Sequence, residues 1–111
     1  MAQTSYAACI LACYGCAQAC DQCAQACLDE EDIKIMAKCI RHDIDCAEAC
    51  RFAAALLARH SGFAVEACEL CASVCDACAA VCGQHDADHC KVCAAACIVC
   101  ADACRSMTVG G

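Results

Sequence analysis

CILACYGCAQACDQCAQAC, residues 9–27, places cysteine at 9, 13, 16, 20, 23 and 27, in steps of 4-3-4-3-4. Alternating steps of three and four return to one face of an α-helix. They mark the inward seam of a bundled helix, where Leu ordinarily sits. Two later runs repeat the pattern: Cys68, Cys71, Cys75, Cys78, Cys82 and Cys90, Cys93, Cys97, Cys100, Cys104. With Cys39, Cys46 and Cys50 between them, 19 of 111 residues are cysteine. The spacing therefore predicts helices whose common core is lined with sulfur.

Ala, the strongest helix former, fills many of the intervening positions, and the chain has no proline and only five glycines. Helices are expected over about 4–28, 30–59, 63–82 and 86–106, with a frayed tail from Met107 to Gly111. Asp29 is the expected cap of the second helix, and Asp32 favours its N-terminal dipole. Ser61-Gly62 is the expected break before the third. Gly83 is read as a left-handed C-terminal cap and Asp86 as the N-cap of the fourth helix. Short connections make chain neighbours antiparallel. The expected fold class is all-α: an antiparallel up-down-up-down four-helix bundle with a cysteine-lined core, one domain over residues 1–111.

The second helix departs from the others. Its expected inward register is Ile35, Cys39, His42, Cys46, Cys50, Ala53, Leu57. Phe52, Leu56 and Leu57, with Tyr6, read as a hydrophobic plug. The first hairpin is longer than the second, so it is expected to project past the turn at residues 83–86. That projection gathers His42, His85, His89, Met36, Cys23, Cys27 and Cys39 at one end, and leaves the plug and His60 at the other.

Several function classes are disfavoured. Along a helix, i/i+3 and i/i+4 Cβ atoms lie about 5–6 Å apart, whereas a disulfide wants about 3.5–4.5 Å. The cysteine count is odd, and the first residues, MAQTSYAACILACYGC, carry no basic segment or small-residue cleavage site. A reducing, cytoplasmic setting with free thiols is expected. A net charge of −7 opposes binding to nucleic acid. No run of about 18 uncharged apolar residues is present to span a membrane. No nucleophile–base–orienter set or phosphate loop suggests an enzyme.

Neutral thiols in an apolar core behave as small hydrophobes. On binding metal they become thiolates, and buried negative charge is costly unless compensated. Zinc in a four-thiolate site leaves −2 per ion, so about four such sites would leave the core near −8. Cu(I) neutralises one thiolate per ion, and soft thiolates select it. Multiple Cu(I) ions per chain are therefore the expected cargo. Pairs at i/i+4 offer a clasp: Cys9/Cys13, Cys16/Cys20, Cys23/Cys27, Cys46/Cys50, Cys71/Cys75, Cys78/Cys82, Cys93/Cys97 and Cys100/Cys104, with Cys39, Cys68 and Cys90 left to bridge. His42, His85, His89 and Met36 are candidate ligands at the mouth; His60 and Met107 are read as uninvolved. Asp43, Asp45, Asp86 and Asp88 are read as surface and capping residues. The alternatives are a zinc or cadmium thiolate buffer, a copper chaperone and a thiol redox buffer. A ferredoxin-type cluster fits poorly, because its cysteines lie on loops and end in Cys-Pro.

The stretches Cys39-Ile40-Arg41-His42-Asp43-Ile44-Asp45-Cys46, Cys71-Ala72-Ser73-Val74-Cys75-Asp76-Ala77-Cys78, Gly83 to Cys90, and Cys100-Ala101-Asp102-Ala103-Cys104-Arg105-Ser106-Met107 resemble the bacterial copper storage proteins over nearly the whole length. The resemblance implies a store that loads many Cu(I) ions through one end of the bundle, mostly on CxxxC thiolate pairs. It also implies a homo-tetramer. Lacking a twin-arginine signal, the chain resembles the cytosolic branch of that family.

Overall fold

The computed structural model describes residues 2–109. It contains four helices: α1 (Ala2–Leu28), α2 (Ile33–Ala58), α3 (Ala64–Cys82) and α4 (Asp88–Val109). No strand occurs among the described residues. α1 packs on α2 and α4, and α3 packs on the same two. The sulfur contacts give the directions. Cys9 meets Cys104 and Cys23 meets Cys90, so α1 and α4 are antiparallel. Cys39 meets Cys82 and Cys50 meets Cys71, which sets α2 against α3 in the same way. The result is the expected up-down-up-down bundle, 46 × 18 × 17 Å.

The 3-4 alternation governs burial throughout. α1 buries Cys9, Cys13, Cys16, Cys20, Cys23 and Cys27; α3 buries Ala64 and then its five cysteines; α4 buries Cys90 through Cys104 in the same steps. The register expected for α2 is corrected. Its buried seam is Met36, Cys39, Asp43, Cys46, Cys50, Ala53, Leu57. Ile35 is 63% exposed, and His42 is only half-buried. The physical reason is angular. A three-residue step falls about 60° short of a full turn and a four-residue step overshoots by about 40°, so only strict alternation holds one face. Reading His42 as inward required two successive four-residue steps, 42 to 46 to 50, which rotate the seam out of the core.

The helix ends also differ from expectation. Asp32, not Asp29, occupies the N-cap position of α2, and its side chain makes no capping hydrogen bond. α2 ends with His60 in the left-handed conformation (φ 53°). The His60 N–H donates to Leu57 O and the Ser61 N–H to Leu56 O, the Schellman pattern, so a histidine takes the place glycine usually fills. Gly83 is right-handed (φ −65°, ψ −12°), not a left-handed cap. Glycine is required there for closeness: a Cβ would lie 2.9 Å from the Ala79 carbonyl oxygen. α4 begins at Asp88, so Asp86 stands outside its N-cap position. Met107 to Val109 continue α4 rather than fray, while Gly110 and Gly111 lie outside the described residues.

The plug is smaller than expected. Leu56 and Leu57 are buried with Ala53 and Ala54, but Phe52 is 54% exposed. Phe52 falls on the solvent side once Cys50, Ala53 and Leu57 take the seam. Tyr6 is half-buried at this end and meets His60, ring centroids 5.3 Å apart. On the surface, Asp21–Arg51 ties α1 to α2 and Asp76–Arg105 ties α3 to α4. Such exposed pairs add little; the core carries the fold.

Two glycines give opposite expectations. Gly15 lies mid-helix, and a Cβ there would meet nothing within 4 Å. Gly15→Ala should stabilise the reduced metal-free protein by about 0.5–1 kcal/mol. Gly83→Ala should lower its melting temperature. Thermal denaturation followed by circular dichroism checks both signs.

Candidate metal centre

All nineteen cysteines are buried and free. The helical pairs that define the seams sit close: Cys16–Cys20 4.0 Å, Cys23–Cys27 3.9 Å, Cys46–Cys50 3.9 Å, Cys71–Cys75 3.9 Å and Cys78–Cys82 3.9 Å between Sγ atoms. Contacts between helices are often shorter. Cys46–Cys75 is 3.5 Å; Cys16–Cys97, Cys50–Cys100, Cys93–Cys20 and Cys100–Cys13 are each 3.7 Å. Cys39–Cys82 is 3.0 Å. The seams thus interlock into four-thiol groups, each with all its Sγ atoms within 4.8 Å of one another. They include Cys13/Cys71/Cys100/Cys104, Cys16/Cys46/Cys50/Cys75, Cys16/Cys20/Cys46/Cys97, Cys20/Cys78/Cys93/Cys97 and Cys23/Cys27/Cys39/Cys90. Cys16, Cys20, Cys46 and Cys97 each belong to two groups, so neighbouring groups share sulfurs. Cys9 and Cys68 close the column beside Cys104.

These separations constrain coordination. With a metal–sulfur bond of about 2.3 Å, two sulfurs lie about 4.6 Å apart across a linear ion, about 4.0 Å in a trigonal site and about 3.8 Å in a tetrahedral one. The observed spacing suits three or four thiolates around an ion, drawn from two or three helices. A single CxxxC pair spaced at 3.9 Å would have to spread to hold an ion alone.

Burial opposes the formation of thiolates in the metal-free core. Burial pushes the Cys27 thiol up to about 11 and the Cys39 thiol higher still. Asp43 breaks the sulfur column. It is fully buried, and its reading as a surface or capping residue is corrected. The thiols of Cys78, Cys82 and Cys93 donate toward its Oδ1 at 3.3, 3.3 and 3.2 Å, and Cys39 donates toward Oδ2 at 3.8 Å. No buried side-chain nitrogen or oxygen among the described residues lacks a partner. Burial, then the neighbouring Cys93, raises the Asp43 carboxyl to about 9. The unbroken 3-4 series through position 43 was the sequence signal for it. A carboxylate is rarely buried without a cation beside it.

The two ends differ as expected. At one, His89 brings Nδ1 to 3.5 Å from the sulfurs of Cys23 and Cys90 and 3.9 Å from that of Cys27. Met36 is buried one turn before Cys39. His85 is half-buried in the α3–α4 connection, and His42 is half-buried on α2 between Cys39 and Cys46. Thiol contacts among the described histidines are made by His89 alone. α2 begins at Ile33, about 9 Å before Cys39 at about 1.5 Å per residue, whereas α3 stops at Cys82 beside it, so the first hairpin overhangs this end. At the other end Leu57 and the Tyr6–His60 contact close the core. Asp45, Asp86 and Asp88 are exposed.

A four-helix bundle whose core is a column of thiols, interrupted once by a carboxyl and flanked by histidine at one end, defines a class: a helical thiolate metal-binding protein. The copper storage protein family model matches residues 2–109, and the chain belongs to that family. It is 47% identical over 102 residues, 92% of this chain and 94% of the relative, to the uncharacterized cysteine-rich protein YhjQ of Bacillus subtilis. Among solved structures it is similar to the Cu(I)-bound copper storage protein BsCsp3 of Bacillus subtilis, at 45% identity and a TM-score of 0.91, covering 95% of this chain and 99% of that one. A cytosolic copper storage protein from Streptomyces lividans, solved with five coppers, is 42% identical with a TM-score of 0.96, covering 99% and 97%.

Asp43 has a measurable signature. Unfolded aspartate titrates near 4, and the folded value is about 9, so over that window the folded state keeps a proton that the unfolded chain gives up. Stability from this group is full below about pH 4 and is lost as pH rises toward about 9, at up to about 1.4 kcal/mol per pH unit. Asp43→Asn should remove that slope. Urea unfolding of the reduced metal-free proteins between about pH 5 and pH 8 should show wild type falling more steeply. Parallel curves would mean the carboxyl is ionised in the fold.

Proposed function

We propose that the protein is a single storage domain that takes up and buffers Cu(I), holding many ions on core thiolates and catalysing nothing. The observation that carries this reading is the sulfur column itself: four-thiol groups along the bundle, several of them sharing sulfurs, with no basic side chain buried among them. A filled core must bring its own positive charge. One monovalent ion replaces one thiol proton and leaves the core's charge unchanged, whereas divalent ions in four-thiolate sites would leave net negative charge in a medium that punishes it. Soft sulfur donors and three-coordinate spacing suit the cuprous ion. The proposed ligands are the nineteen cysteines, with His89 beside Cys23, Cys27 and Cys90. Met36, His42 and His85 complete the candidate set near that end.

The cytosolic description of the Streptomyces lividans relative supports a cytoplasmic location for this chain. Among the described residues no helix is long and apolar enough to cross a membrane. The family resemblance supports a homo-tetramer. So do exposed apolar side chains such as Leu11, Phe63, Val92 and Val99, 60–74% exposed, which an isolated bundle would leave in water. Light scattering that returned the 11.5 kDa mass of one chain would remove the oligomer.

The decisive experiment is an anaerobic titration of the reduced protein with Cu(I) against a chromogenic chelator, with a parallel Zn(II) titration. Uptake of about ten or more coppers per chain, with zinc saturating near about four and displaced by copper, is expected. Saturation at one or two coppers would indicate a chaperone, and zinc resisting displacement a zinc buffer. The double variant Cys75→Ser, Cys78→Ser should hold fewer coppers with its helices intact. Its unfolding would show instead that these thiols serve the fold.

A further inference from the structure

At the histidine-bearing end, the sulfurs of Cys23, Cys27, Cys39 and Cys90 are each at most 1% exposed. His89 beside them has a side chain 24% exposed. It is the donor of this cluster that an ion arriving from solvent meets first. Imidazole binds a metal only through a nitrogen without a proton, and in the neutral ring one nitrogen carries the proton and the other does not. Which is which depends on the partner of the far nitrogen.

That partner is Glu30. Its Oε2 lies 2.8 Å from His89 Nε2. Glu30 comes from the α1–α2 turn, and its own N–H donates to Cys27 O at 3.2 Å, which ties it to the last turn of α1. A carboxylate can only accept, so the ring's proton belongs on Nε2. Nδ1 then carries the lone pair, and it is this atom that faces Cys23, Cys27 and Cys90 at 3.5, 3.9 and 3.5 Å. Two sulfurs and a nitrogen at these separations suit a trigonal ion, for which about 3.7 Å between sulfur and nitrogen is expected with bonds of about 2.3 and 2.0 Å. Carboxylates that hold a ligating histidine in this way orient the ring and raise its basicity.

Resting on the Cu(I)-storage reading, we propose that Glu30 is the positioning residue of the entry site: it fixes His89 as the Nε2–H tautomer and so presents Nδ1, with Cys23 and Cys90, to the incoming cuprous ion. Glu30 touches no thiol and acts through the histidine. Its acceptor oxygen, more than its charge, is what the arrangement uses.

The test reads the tautomer and the loading separately. Long-range proton–nitrogen NMR of the reduced metal-free protein, which needs no copper, should find His89 protonated on Nε2 in wild type and a mixture of tautomers in Glu30→Ala. Stopped-flow transfer of the first Cu(I) equivalents from a chelator should slow roughly tenfold or more in Glu30→Ala, the scale typical of lost outer-sphere partners, with final capacity unchanged. Glu30→Gln keeps an acceptor oxygen without the charge, and its loading rate should follow whichever tautomer its spectrum shows. In a His89→Ala background, Glu30→Ala should slow loading no further. An Nδ1–H tautomer in wild type, a tautomer unmoved by Glu30→Ala, or slowing that persists without His89 would overturn the assignment. A wild-type capacity of one or two coppers would instead overturn the storage reading and leave the tautomer result standing.

Discussion

The structure depends on a thiol behaving as two different groups. With its proton, each core cysteine is a small neutral hydrophobe, and a bundle of them packs. Without it, each is an anion in a place that cannot bear one. Burial disfavours the thiolate throughout the metal-free core, and it is the leading cause of the raised values at Cys27 and Cys39. The bundle can then be both a folded protein and a vacant ligand array. Loading must exchange a proton for a cation of the same charge, or the core would fill with uncompensated charge.

Asp43 shows the same rule from the other side. A carboxyl occupies a seam position, enclosed by Cys39, Cys78, Cys82 and Cys93 and with no cation beside it. It is tolerated because it too keeps its proton and because thiols satisfy its oxygens. It also interrupts the sulfur column near the histidine-bearing end, where α2 contributes oxygen instead of sulfur. The two ends are therefore chemically distinct: histidine, methionine and carboxylate at one, leucine and an aromatic contact at the other.

Cooperation between helices matters more than any single CxxxC pair. A helix sets its own i/i+4 sulfurs at 3.9–4.0 Å, and packing brings partners from other helices to as little as 3.0 Å. Each ion would thus be held by more than one helix, so filling the core and rigidifying the bundle are one process. The Glu30–His89 contact extends this to the mouth, joining the α1–α2 turn to the first turn of α4.

The sequence by itself determined the helices, their number, the face each turns inward and the sulfur that lines it. These follow from local periodicity, because three- and four-residue steps have a fixed angular meaning on a helix. Even Asp43 is legible in the unbroken series 36, 39, 43, 46, 50, 53, 57, whereas the series through His42 breaks the alternation. Helix ends were read less well. His60 takes a left-handed position without being glycine, and Gly83 is glycine without being left-handed, since one is set by backbone hydrogen bonds and the other by a close carbonyl. Tertiary structure alone decided which thiols from different helices share a cluster, and that Asp43 finds four donors. It also decided that Glu30 reaches a histidine 59 residues away. Those facts depend on the axial offset between antiparallel helices, which turn geometry and packing set and no single helix encodes.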